Sequence, residues 1–205
     1  MVGDGMKALH KDFWMEIRKS KARFISIFLI VALGVAFFSG IQASSPDMRY
    51  SGDAYYEAAK LMDLKIQGTL GLTQRDVKAV SDIDGVELAE GGYSTDVMSG
   101  EDDARKVLHL ESISSNFNLL TADEGRIPKK SGEIFLDKPF AKNRGYKIGD
   151  TISVSEDGDS ELLKKTTYTV VGIGSSPLYI SFNRGNTTLG SGEVSGFGYI
   201  LPEDF

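Results

Sequence analysis

From Phe24 to Ala43 the chain reads FISIFLIVALGVAFFSGIQA, a run without a charged residue, and the next charge is Asp47. At about 1.5 Å of rise per residue, some twenty helical residues cover roughly the 30 Å of a bilayer's hydrocarbon core. The pattern predicts one transmembrane helix over residues 22–45. Before it, Met6, Leu9, Phe13, Trp14 and Ile17 recur at three- and four-residue spacing, while Lys7, Lys11, Arg18 and Lys19 fall largely on other faces. Residues 1–21 are expected to form an amphipathic elbow helix at the membrane surface, with Trp14 at headgroup depth. Inside the span, Ala32, Ala36 and Gly40 repeat every four residues. Such a small-residue stripe lets a neighbouring helix approach closely. No second apolar run of spanning length occurs, so a neighbour would come from another chain or from further sequence.

Beyond the span the periods shorten. Ser51 to Met62 reads as a helix, and Asp63 to Gly68 as a strand with Leu64 and Ile66 alternating against Lys65 and Gln67. Thr73 to Ile83 is a further helix, with Thr73 at the cap and Asp76 three residues on. Val86 to Met98 returns as a strand or a bent pair of strands around Gly91-Gly92, which makes a βαβ unit, and Arg105 to Ile113 is another strand candidate. From Gly125 the texture is β-rich: Glu133–Leu136, Thr151–Ser155, Thr166–Ile173, Leu178–Phe182 and Phe197–Leu201. A short helix, Lys138–Arg144, follows Asp137 and is closed by Gly145. Residues 156–160 form a hairpin turn, and Asn183–Gly198, with its glycines, a mobile loop. The predicted class is α+β: elbow helix, transmembrane helix, a first α+β lobe over residues 46–124 and a β-rich lobe over residues 125–205.

Charge gives this layout a direction. Residues 1–23 carry six basic and three acidic groups, whereas residues 44–205 carry 17 and 26, a net of −9 inside an overall −6. The positive-inside bias puts the N-terminus in the cytoplasm and the rest outside the plasma membrane. The basic end suits anionic lipid of the bilayer, and the acidic remainder argues against nucleic acid as a partner. With no cysteine, disulfides and thiol chemistry are excluded. Ile41-Gln42-Ala43 could serve a signal peptidase, but the apolar stretch exceeds the roughly 7–15 residues of a signal peptide's apolar region, so retention is expected.

One segment has a more specific pattern. Gly125, Arg126, Pro128, Gly132, Glu133, Ile134 and Leu136 spell G-R-x-P-x-x-x-G-E-I-x-L. Gly145, Gly149 and Asp150 follow, and then Tyr168 to Ile173, YTVVGI. Turn and cap chemistry explains these residues as builders of a fold: glycines where strands and a helix stop need them, and Asp150 accepting backbone hydrogen bonds. Their order resembles the extracytoplasmic core domain of MacB/FtsX-type ABC transporter permeases. The N-terminus resembles that family too, with Trp14, Glu16, Ile17 and Arg18 before a basic cluster and a single span. The resemblance implies a permease subunit that pairs with a cytoplasmic ABC ATPase, packs against further spans or a second permease copy as a dimer, and moves an external domain acting on an exported substrate or partner. It also implies that the chain is the N-terminal portion of a longer permease.

Candidate chemistry points the same way. No G-x-x-x-x-G-K-[ST] or G-x-S-x-G occurs. Gly172-Ile173-Gly174 begins a dinucleotide fingerprint, but Pro177 stands where its third glycine belongs. The two histidines, His10 and His109, fall in different parts of the chain, which excludes a two-histidine metal site. Asp157, Asp159 and Glu161 alternate like calcium ligands without the glycine and final Glu that such a loop needs. Asn186-Thr187-Thr188 fits a glycosylation acceptor and marks a surface loop. No catalytic residue, cofactor or metal is expected, and the chain is not expected to be an enzyme. The alternative to a permease component is a single-span sensor or adhesion protein that binds a ligand or another protein.

Overall fold

A computed structural model describes residues 3–100, 105–156, 162–181 and 183–205, with side chains from residue 9 onward. Two compact units are present, residues 1–54 and 55–205. The first is helical. Helix α1 runs Gly3–Lys19, with Leu9, Phe13 and Trp14 exposed; Met6 and Lys7, at the head of the expected amphipathic pattern, have side chains outside the described residues. Helix α2 runs Lys21–Ala58, is long and apolar enough to cross a membrane, and has no buried residue. The separate helix expected from Ser51 is its continuation, with Pro46 inside it. Proline removes one backbone donor, and only one carbonyl a turn earlier is left without it, so a long helix survives the loss.

The second unit is a single sheet. Its strands are β1 (Ser94–Ser99), β2 (Lys106–Ser112), β3 (Thr121–Gly125), β4 (Glu133–Asp137), β5 (Thr151–Ser155), β6 (Thr167–Ser175) and β7 (Gly196–Ile200). The order is β3-β6-β4-β7-β2-β1-β5, and β5 also pairs with β6. Six strands thus close into a ring, with β3 on the edge of β6 beyond β5. The β2/β7 and β4/β6 pairs are parallel and the others antiparallel.

Closure explains the burial pattern. Alternate residues of β4 face opposite sides: Ile134 and Leu136 join the inner core with Leu108, Leu110, Ile152, Tyr168 and Val170, while Phe135 packs outside with Phe197, Tyr199 and Val194. Helix α4 (Lys138–Arg144) plugs the inner core with Phe140 and Ala141. Phe140 lies so close to β7 that a Cβ at Gly196 would fall on its ring.

The two expected lobes are therefore one. Strands β1 and β2 belong to the same sheet as β4–β7, so no boundary falls at residues 124/125. The βαβ unit is absent: α3 (Gln74–Ser81) forms, but residues 63–68 and 86–93 make no strand. Leu64 and Ile66 are exposed; alternation alone does not make a strand without an edge to pair with. Leu178–Ser181 makes no strand either, and Phe182 lies outside the described residues. So do Asp157, Asp159 and Glu161 and most of the expected turn between β5 and β6. The glycine-rich stretch after Asn183 is more structured than expected: Asn186 bridges to Glu193, Val194 is buried, and β7 begins at Gly196.

Candidate functional site

Two clusters tie loops to this sheet, and neither was visible as a motif. The first lies on the outer face of β2. His109 and Glu111 alternate with the inward Leu108 and Leu110, so both point outward. The β1/β2 register sets Asp96 opposite His109, and its Oδ1 lies 2.5 Å from His109 Nδ1. Glu111 Oε1 accepts hydrogen bonds from Lys65 Nζ at 2.9 Å and Tyr179 OH at 2.8 Å, with His109 Nε2 3.7 Å away. Burial opposes the charge on Glu111, but His109, Lys65 and Tyr179 outweigh it and hold the carboxyl at about 2. His109 is pushed down by burial and up by Glu111 and Asp96, and its net shift is upward.

The second cluster adjoins it. Tyr179 stacks on Phe197 with ring centroids 3.6 Å apart, and the Arg184 guanidinium lies 5.2 Å from the Phe197 centroid. Arg184 also pairs with Asp137, whose Oδ1 accepts from Phe197 N at 2.8 Å. Burial raises the Asp137 carboxyl in spite of these partners. The described residues of 176–195 are thus strapped across the outer core by Tyr179, Arg184 and Val194. Both carboxylates face protein donors, and among the described residues no group of three His, Asp or Glu is placed to hold a metal. What the arrangement does is hold chain segments together.

The residues singled out in the sequence lie elsewhere. Arg126 and Glu133 form a two-pronged pair at 2.5 and 2.7 Å that closes the β3–β4 loop. The Glu133 carboxyl is held at about 2 by Arg126 and the Lys129 and Lys130 amides. Pro128 is buried inside that loop. Gly125 and Gly132 have φ of 71° and 85°, and Gly132 N donates to the buried Asp204 at 3.1 Å. Ser131 OH donates to the other Asp204 oxygen, so Asp204 pins the short 3-10 turn Pro202–Asp204 to the loop. Gly145 ends α4 at φ 76° and Gly149 turns at φ 94°. Asp150 accepts from Lys147 N at 2.8 Å. Arg126 and Glu133 are brought together with Pro128 and Gly132; Gly145, Gly149 and Asp150 form a separate corner between α4 and β5. In α2, Ala36 and Gly40 are exposed, Ala32 is half-buried, and nothing lies within 4 Å of a Cβ placed at Gly40.

A model of the MacB-like periplasmic core domain matches residues 24–202, from the first residue of the apolar run to the turn after β7. The chain belongs to that family. It thus carries a MacB-like periplasmic core domain together with one helix long and apolar enough to cross a membrane. The search of solved structures finds similarity to the extracellular domain of the noncanonic ABC-type transporter YknZ from Gram-positive bacteria, with 13% identity and TM-score 0.42, over 65% of this chain and 64% of that one. It also finds the periplasmic region of MacB from Actinobacillus actinomycetemcomitans, with 13% identity and TM-score 0.37, over 66% and 56%. The chain therefore spans a little under two thirds of the first structure's length and just over half of the second's. The search of curated proteins returns no match.

Proposed function

We propose that this MacB-like chain is the first membrane helix and the extracytoplasmic arm of an ABC transporter permease subunit. Its N-terminus lies in the cytoplasm, and a partner ATPase there supplies the movement. The arm delivers that movement to an exported substrate or partner protein, without catalysis of its own. It works beside further permease spans or a second permease copy. The observation that supports this reading is the extent of the family match, which takes in the apolar helix together with the sheet. The tied loops of the outer face agree with it, since a domain that transmits force must not yield locally.

The test is purification from its own membranes in mild detergent. A cytoplasmic ATPase is expected to copurify and to be lost when the span is replaced by an unrelated apolar helix. A chain that runs only as copies of itself, and whose melting temperature rises with a small ligand, would instead be a single-span sensor.

A further inference from the structure

Helix α2 does not end in a free linker. Its last turn closes with a left-handed residue, Lys60 at φ 49°, so that Lys60 N donates to Glu57 O at 3.1 Å and Leu61 N to Tyr56 O at 3.0 Å. The next backbone groups leave the helix for the loop between β2 and β3. Leu119 N donates to Ala59 O at 2.8 Å and Asn118 N to Lys60 O at 2.9 Å. Met62 N in turn donates to the Asn118 side-chain Oδ1 at 3.1 Å. Asn118 itself sits at φ 50°. Among the described residues, Lys60 and Asn118 are the two non-glycines with positive φ, and they face each other across this joint. Asparagine tolerates that conformation better than other side chains, and its amide oxygen supplies the acceptor.

The joint is backed on both sides. Ala59 is buried, and Leu120, next to Leu119, packs against the outer core of Phe135, Phe197 and Tyr199. Three residues past Met62, Lys65 makes its ion pair with Glu111 on β2. The exit of the helix is thus hydrogen-bonded to a loop that is anchored in the sheet.

We propose that Asn118 is a positioning residue that locks the end of the membrane helix to the β2–β3 loop, so that displacement of the helix reaches the sheet instead of being absorbed by a hinge at residues 59–62. The purpose given to the joint rests on the transmission reading above; the joint itself does not.

The experiment is amide exchange on the full chain in lipid nanodiscs, with three variants. Asn118→Gly keeps the backbone freedom and removes the acceptor, Asn118→Ala removes both, and Asn118→Asp keeps an acceptor in a residue that tolerates the conformation. Exchange at Met62 and Leu119 is expected to rise about tenfold in the Gly and Ala variants, the loss of one net hydrogen bond, and to stay near wild type in Asp. Leu108 and Val170, inside the sheet, are expected to keep their rates. Spin labels at Glu57 and Lys129, placed in this cysteine-free chain, are expected to give a distance distribution that broadens in Asn118→Gly. Unchanged exchange and an unchanged distribution in Asn118→Gly would overturn the proposal. Equal acceleration at Leu108 and Val170 would also overturn it, by making Asn118 an ordinary stability residue. Copurification of the ATPase is a separate readout, so failure of the joint and failure of the transmission reading are distinguishable.

Discussion

Helix α2 and the closed sheet draw on the same residue types and place them oppositely. Ile30, Leu33 and Phe37 of the helix are about 70% exposed, whereas Ile134, Phe135 and Leu136 of β4 are fully buried. The difference lies in the backbone. A helix satisfies its own amides and carbonyls, so an apolar one needs only an apolar surrounding, which a bilayer supplies. A strand must find neighbours, and the ring of six strands gives each of its members two, leaving the side chains to pack inside and out. The helix suits an apolar surrounding, and the sheet supplies its own. Their connection is therefore where one kind of stability must be handed to the other.

The sharpest way to break this comparison is to shorten an aromatic residue in each. Phe135→Ala is expected to destabilise the sheet by about 3–5 kcal/mol, read by denaturant unfolding, because Phe135 is fully buried on the outer core. Phe37→Ala, on the helix, should leave that unfolding curve unmoved. The reciprocal test is a charge in the helix. Leu33→Arg is expected to cost roughly 2.5–3.5 kcal/mol of membrane insertion, seen as a chain released by alkaline extraction, while the sheet still unfolds as before. If the sheet lost its stability with the helix, the two would not be independent.

A smaller effect comes from the outer face of β2. Glu111 is held at about 2, below its ordinary 4.5. It therefore adds stability that is full above about pH 4.5 and lost as the pH falls towards 2. His109 is raised above its ordinary 6.5, so its contribution is full below that value and lost as the pH climbs through the raised one. The cluster is strongest between these limits. Glu111→Gln is expected to remove on the order of 2 kcal/mol at pH 6 and to flatten the acid limb of the stability profile. The smallest effect is expected on α3, which buries nothing. There Asp76 accepts from Thr73 N and Oγ1 at 2.7 and 2.8 Å, and Thr73→Ala should cost about 1 kcal/mol or less of local helix stability, seen by amide exchange.

Much of the sheet could be read along the chain, and the reasons are local. Strands β4 to β7 and α4 follow from short apolar runs set between turn residues, with Asp137 before the helix and Gly145 after it. Strand β3 could not be read this way. Its residues, TADEG, are all exposed, and it exists because the edge of β6 is there to pair with. Residues 63–68 show the converse: Leu64 and Ile66 alternate well, yet no strand forms. The outer-face cluster was not legible as a cluster. His109 and Glu111 alternate in β2, but their partners Lys65 and Tyr179 lie 46 and 68 residues from Glu111, and only the closed sheet brings them together. The family resemblance rested on Tyr168 to Ile173, on Trp14 to Arg18 before the span, and above all on Gly125 to Asp150, the segment whose turns are set by glycines and by the Arg126–Glu133 pair. Its glycines and that pair fix loops and corners, whereas the residues of the same segment that hold the strap, Phe135 and Asp137, are not among those that carried the resemblance.

The orientation of the helix decides whether the sheet can be the outer arm of a transporter. The chain has no cysteine, so single cysteines report without background. Lys11→Cys and Lys129→Cys variants, expressed in cells, would be treated with a membrane-impermeant maleimide before and after permeabilisation. Labelling at residue 129 in intact spheroplasts, with residue 11 reached only after permeabilisation, is the predicted result. Labelling of residue 11 in intact spheroplasts, with residue 129 protected until they are opened, would contradict it.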